Sequence, residues 1–166
     1  MNWNLPDQGH VFNFILRRTW QHSVSATLRS PEDFLSQYQP GGTATIICNN
    51  WTSRVITKGE DPVGLGRWSF VTMQRKKGKL ITIVTAYNAS YSTGDTTNFR
   101  QQQLTLTQLH IQHKQTVTSL PRRQFILDLQ SWLEYLINQD HELILCRDAN
   151  EGYDQDNSVP VHPLSY

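Results

Sequence analysis

Cysteine is scarce: the 166 residues hold two, Cys48 and Cys146. They lie far apart, each inside an apolar run, which excludes a disulfide framework and reads as two small buried core residues. No CxxC pair or nearby Cys–His spacing is present, so a structural zinc is not expected. Charge is also sparse, at 17% of residues, and nearly balanced at a formal net +1. That balance argues neither for nor against nucleic acid, because a local basic groove can exist in a neutral protein. No apolar run approaches the length of a membrane span. The opening MNWNLPDQGH lacks the charged and apolar regions of a secretory signal. An intracellular location, nuclear or cytoplasmic, without membrane contact is therefore expected.

What is present is the composition of a folded chain, with 37% hydrophobic residues and five Trp, long enough for one domain with a real core. Apolar Val11, Phe12, Ile15 and Leu16 fit one face of a helix over 11–20. The Ser-, Gln- and Pro-rich stretch 23–39 reads as a connecting loop, with a turn of helix after Pro31. Pro40-Gly41-Gly42 punctuates the chain before a strand at Thr43–Cys48. Residues 51–56 extend or pair with that strand, and 58–66 form a loop. Two β-rich runs, 67–75 and 79–87, flank Lys76-Lys77-Gly78 and form a hairpin whose second strand is central. A polar loop, 88–98, and a weakly amphipathic helix over 99–115 follow.

Residues 121–138 carry the clearest helical period, with Phe125, Ile126, Leu129, Trp132, Leu133, Leu136 and Ile137 on one face. Ser119 is its expected N-cap, with Pro121 in the first turn. The helix feeds ELILCRDANE (142–151). Leu143 to Cys146 reads as a buried strand. Asp148 and Asn150 then point to one side of the sheet end, with Arg147 and Glu151 on the other. Two readings of that pair stand together. Asp and Asn after a strand form turns, and ligand-handling groups also collect where buried strands end.

Other charges carry similar alternatives. Arg75, Lys76, Lys77 and Lys79 at the hairpin tip are solvated, or they touch nucleic acid. Arg122 and Arg123 sit against the helix dipole and call for a phosphate or carboxylate partner. His110 and His113, three apart without a third ligand, read as a polar helix face. There are no internal repeats, and the element order implies a mixed sheet with helices packed on it.

Four stretches in this order, GGTATIICNN (41–50), GLGRWSFVTM with the hairpin (64–73), LITIVTAYN (80–88) and the helix feeding LILCRDANE (143–151), resemble the endonuclease/exonuclease/phosphatase family. The look is that of its eukaryotic members found with reverse transcriptases. The resemblance covers most of 38–151. It implies an α/β (α+β type) fold, a four-layer α/β/β/α sandwich of mixed, largely antiparallel sheets, present here in part. The implied reaction is hydrolysis of a phosphate ester with Mg²⁺ or Mn²⁺. By the resemblance Asp148 orients or deprotonates the attacking water, and Asn150 holds that aspartate or a phosphate oxygen. The Tyr87 hydroxyl touches the scissile phosphate. Arg67 and Asn88 are candidate phosphate ligands, and Asp148 and Glu151 candidate metal ligands.

The chain also departs from the family pattern. The first-strand Asn and the metal-binding Glu have no counterpart, and Met1-Asn2-Trp3-Asn4 looks like the sequence just after that Glu. His162 lacks the Asp of the family's closing Asp-His pair. The usual Gly before the motif Asp is Arg147. Residues 1–166 are therefore expected to form a single, incomplete domain with a loose tail at 152–166. The expected partner is DNA or another phosphate ester, with a reverse transcriptase domain in a longer parent protein. The expected activity is that of an endonuclease, weak or lost in this chain. The alternatives are a phosphatase on a small substrate and a non-catalytic remnant.

Overall fold

The computed structural model describes residues 2–3, 20–25, 39–40, 42–94, 97–113, 120–148 and 150. Its strands are β1 (Asn2–Trp3), β2 (Trp20–Ser25), β3 (Gln39–Pro40), β4 (Thr43–Cys48), β5 (Val55–Glu60), β6 (Trp68–Gln74), β7 (Leu80–Tyr87) and β8 (His141–Asp148). The helices are α1 (Asn98–His113) and α2 (Pro121–Asn138). Short 3-10 turns cover Asn49–Arg54 and Lys76–Gly78.

The hairpin forms as its sequence implies. β6 and β7 pair antiparallel from Trp68↔Ala86 to Gln74↔Leu80. Lys77 and Gly78 take φ values of 62° and 75°, the left-handed backbone that a tight reversal between twisted strands needs. β7 is central, with β6 on one side and β8 parallel on the other, in a four-stranded sheet ordered β5-β6-β7-β8. A parallel neighbour requires a crossover, and α1 and α2 supply it.

α2 buries Pro121, Phe125, Leu129 and Leu136, a stripe at helical spacing. Phe125 and Leu129 pack on Trp68, Val84 and Ala86, with Phe70, Trp132 and Leu133 at the margin. These sheet residues occupy alternate positions on β6 and β7, so they share one face. The other face packs Val71 and Met73 against Ile47 of β4, with Val55, Ile81 and Ile83 around them. β4 pairs with β2 in a separate two-stranded sheet, and β1 pairs with β3. Among the described residues the result is a mixed α/β architecture in which a helix, the four-stranded sheet and the β2–β4 sheet form successive layers. Between the sheets the Thr45 hydroxyl donates to Thr85 Oγ1 at 2.9 Å and lies 3.1 Å from both the Ser69 carbonyl and the Ser69 hydroxyl. A buried hydroxyl must find such partners.

Several expectations are corrected. Trp20–Ser25, placed at a helix end and in a loop, is a strand, because β4 offers it six consecutive partners. The rest of the expected helix, 11–19, lies outside the described residues, as do Ser119 and the tail. Leu120 caps α2 without a side-chain bond. Residues 51–56 do not extend β4; the chain makes a 3-10 turn, and Val55–Glu60 pairs with β6 instead. β8, read as a buried strand, is an edge of its sheet among the described residues, with Ile144 45% and Leu145 43% exposed. Cys146 is accordingly exposed and Cys48 only half-buried. Ile126 and Ile137 also face solvent. An apolar run signals burial only when neighbours cover both faces. No helix among the described residues is long and apolar enough to cross a membrane.

Gly59 lies opposite Phe70 in the β5–β6 ladder. A Cβ there would meet the Phe70 ring at 2.8 Å and 2.9 Å, and Phe70 is itself held against Trp132, with ring centroids 4.8 Å apart. Gly59→Ala is expected to destabilise the fold by about 1–3 kcal/mol. Urea unfolding should show a lowered midpoint at unchanged slope.

Candidate functional site

β7 and β8 run parallel, so they leave the sheet at the same end, where Tyr87 and Asp148 are register partners. Neighbouring strands lie ~4.8 Å apart. Tyr87 is in phase with Thr85, which bonds Thr45 of the second sheet. Paired residues share a face, so Tyr87 and Asp148 stand on the side of the sheet that faces β4. Tyr87 is half-buried and Asp148 exposed.

The ladder continues one residue further. The Asn88 N–H donates to the Asp148 carbonyl at 3.0 Å. Asn150 takes φ 43°, a conformation Asn tolerates better than most residues. In that pose its own N–H donates to Asp148 Oδ1 at 3.1 Å, and its Nδ2 donates to the Asn88 carbonyl at 2.9 Å. Arg122 Nη2, from the first turn of α2, donates to the Asn150 carbonyl at 3.2 Å. Asp148-x-Asn150 is thus an Asx turn that clasps the end of β7. Asn150 does hold the aspartate, but through its backbone; its side-chain amide is committed to Asn88. The turn reading of the pair is the one observed, and it spends one Asp148 oxygen. The second oxygen accepts no hydrogen bond among the described residues.

The other expected residues sort differently. Asn88 is 2% exposed, and its Oδ1 has no partner among the described residues. Its side chain is thus in the wall of the site, not on its surface. Arg67, expected to meet phosphate, is 1% exposed and already spent. Its Nε and Nη2 take both oxygens of Asp61 at 2.6 Å and 3.0 Å, and Nη1 takes Asp128 at 2.6 Å. The guanidinium also lies 4.7 Å above the Trp68 ring. Burial works against its charge, but the bonds to and fields of Asp61 and Asp128 outweigh it, and its pKa is raised above the ordinary value. Arg67 therefore works as a fastener: its carbonyl accepts the Tyr87 N–H at 2.8 Å.

Glu151 lies outside the described residues. Among the described residues no group of three or more His, Cys, Asp and Glu could hold a metal ion. Mg²⁺ commonly takes one or two protein carboxylates with phosphate oxygens and water. The described part of the site offers Asp148 alone, so it does not by itself form a metal cage. Arg122 finds a carbonyl rather than the phosphate or carboxylate its position called for. Sequence reasoning missed Thr45, Ser69 and Thr85, whose hydroxyls tie the two sheets together below the site. Each of the three strands carries further hydroxyl residues (Thr43, Thr72, Thr82), so no signal in the sequence singled these three out.

Two measurements check these assignments. Arg67→Met leaves the buried Asp61 carboxylate unpaired and is expected to cost about 3–5 kcal/mol in urea unfolding. A loss of less than about 1 kcal/mol would mean the pair contributes little beyond a surface contact. Asn150→Ala loses the bond to Asn88 and strains a left-handed residue, an expected cost of about 1–3 kcal/mol. Asn150→Gly, which relieves only the strain, should fall between that variant and the parent.

No protein-family model and no curated protein sequence matches the chain. Among solved structures it is similar to the human Nocturnin catalytic domain with bound sulfate anion, at 14% sequence identity and a TM-score of 0.47. That likeness covers 92% of this chain and 50% of the other, so the chain spans about half the length of the structure it matches.

Proposed function

We propose that this chain is the phosphate-handling part of a phosphodiester hydrolase of the endonuclease/exonuclease/phosphatase kind, acting on DNA. The observation that carries the reading is the pairing of Tyr87 with Asp148 at the shared end of two parallel strands. Beside that pair the Asn150 side-chain amide, 62 positions along the chain, donates to the Asn88 carbonyl, which supports the reading.

The chemistry follows from the side chains. One Asp148 oxygen is held by the Asn150 N–H, which fixes the carboxylate plane. Asp148 is exposed, so its other oxygen can orient a water and accept its proton as that water attacks phosphorus; the P–O bond to the leaving sugar oxygen breaks, and that alkoxide takes a proton from solvent. A phenol donor from Tyr87 supports the charge that grows on the phosphoryl oxygen. Asn88 and Asn150 position these groups by closing the strand ends. Mg²⁺ or Mn²⁺ is proposed on the sequence resemblance alone, as a source of charge neutralisation on the phosphate, with Asp148 and Glu151 as the candidate ligands. Since the described residues bring a single carboxylate, the activity of this chain by itself is expected to be weak. A reverse transcriptase domain in a longer parent belongs to the same proposal.

A nicking assay on abasic and intact plasmid, with Mg²⁺ against EDTA, tests the reading. Weak nicking that needs Mg²⁺, is abolished in Asp148→Asn and falls about 10²-fold in Tyr87→Phe is the expected result. Asp148→Asn keeps an oxygen for the Asn150 N–H, so its unfolding free energy in urea should stay within about 0.5 kcal/mol of the parent. Nicking that persists in Asp148→Asn would overturn the site. Complete absence of nicking in all proteins would favour the non-catalytic reading, which the structural employment of Asp148 and Asn150 in the turn also supports.

A further inference from the structure

The end of the sheet remote from Asp148 carries charge and an aromatic surface that the proposed chemistry does not use. β7 runs from Leu80 beside the hairpin tip to Tyr87 at the site, a separation of about 23 Å at ~3.3 Å per residue. Around the tip, Lys76, Lys77 and Lys79 are exposed, and none forms a salt bridge among the described residues. Two acids border them. Glu142 is taken by Arg75, and Asp140 precedes His141, the partner of Leu80.

The turn Asn49–Arg54 reaches the same end. Val55 pairs with Met73, so Arg54, just before it, lies beside the strand that runs into Arg75. Trp51 on this turn is 55% exposed, and the Arg54 guanidinium sits 5.0 Å over its ring. The turn is braced from within, because the Thr52 and Ser53 hydroxyls donate to the carbonyls of Asn49 and Asn50 at 2.8 Å and 3.0 Å. An indole is thus presented to solvent on a preformed turn, at the same end of the sheet as a cluster of lysines without ion pairs among the described residues.

We propose that this end of the molecule binds single-stranded nucleic acid. The lysines of the hairpin tip meet phosphates, and a base stacks on Trp51. Both halves of the arrangement are needed for that partner. Flexible cations track a backbone, and an aromatic face accepts any base. An anionic membrane fits less well, since the ring is flanked by Asn49, Asn50, Thr52 and Ser53, which would lose water on insertion. The surface is separate from the Asp148 site and does not depend on catalysis.

Fluorescence anisotropy of a labelled oligothymidylate, in EDTA with the full chain, tests the proposal. Binding should weaken with salt. The combined variant K76A/K77A/K79A should lower the slope of log affinity against log salt by about 2, at ~0.7 per phosphate contact on a single strand. Trp51→Ala should weaken binding about tenfold, and Trp51→Phe should retain most of it. Affinity unchanged in both the lysine variant and Trp51→Ala would overturn the proposal. So would equal or tighter binding to phosphatidylserine vesicles, or binding to heparin and oligothymidylate alike with no effect of Trp51→Ala.

Discussion

The buried pairing of Arg67 with Asp61 and Asp128 is the constraint on which the described structure turns. Taking a guanidinium and a carboxylate out of water is costly unless their bonds are nearly all made. Here they are made: two to Asp61, one to Asp128, and a Trp68 ring beneath the cation. Asp61 in turn accepts the Val63 N–H, and Asp128 accepts from Gln124. One side chain thereby joins the loop before β6, the start of β6 and the middle of α2. Trp68, the next residue, is the centre of the apolar contact between helix and sheet. The Arg67 carbonyl accepts the Tyr87 N–H, which ties the last residue of β7 to the ion-paired arginine.

The second organising feature is polar as well. The sheets meet over Ile47, Val71 and Met73, but near the site end the contact becomes the Thr45, Ser69 and Thr85 hydroxyls. Hydrogen bonds of this kind specify register where apolar packing tolerates sliding. They keep β4 opposite Ser69 and Thr85, and so set which face of the sheet the second layer covers. β8 shows the converse. With β7 on one side and no strand on the other among the described residues, its apolar residues stay exposed. Its end is nonetheless orderly, because the Asp148–Asn150 turn ties it to Asn88 and to Arg122 on α2.

The parts of the fold legible in the sequence were those set by local rules. The hairpin rests on β-rich runs around a Lys-Gly turn, and α2 on an apolar period that begins at a proline. Tyr87 and Asp148 are register partners, and the turn joins Asp148 and Asn150 to Asn88, contacts that span up to 62 residues and that no local rule encodes. Arg67 was misread because its two acids lie 6 and 61 residues away, a spacing no periodicity carries. β2 was misread because WQHSVS has little strand character of its own and is extended by its partner. Cys146 and Leu145 were misread because four apolar residues look alike on a central and an edge strand.

Taken alone, the residues determined where the chain turns, which face of α2 is apolar, and that β7 is flanked on both sides. These are near-neighbour properties, governed by backbone dihedrals and by the alternation of side chains along an element. Tertiary structure alone decided which cations are free and which are spent, which strand is an edge, and that the Asx turn closes on Asn88. Those outcomes depend on desolvation and on hydrogen-bond partners brought from distant positions, and a linear pattern holds no record of either.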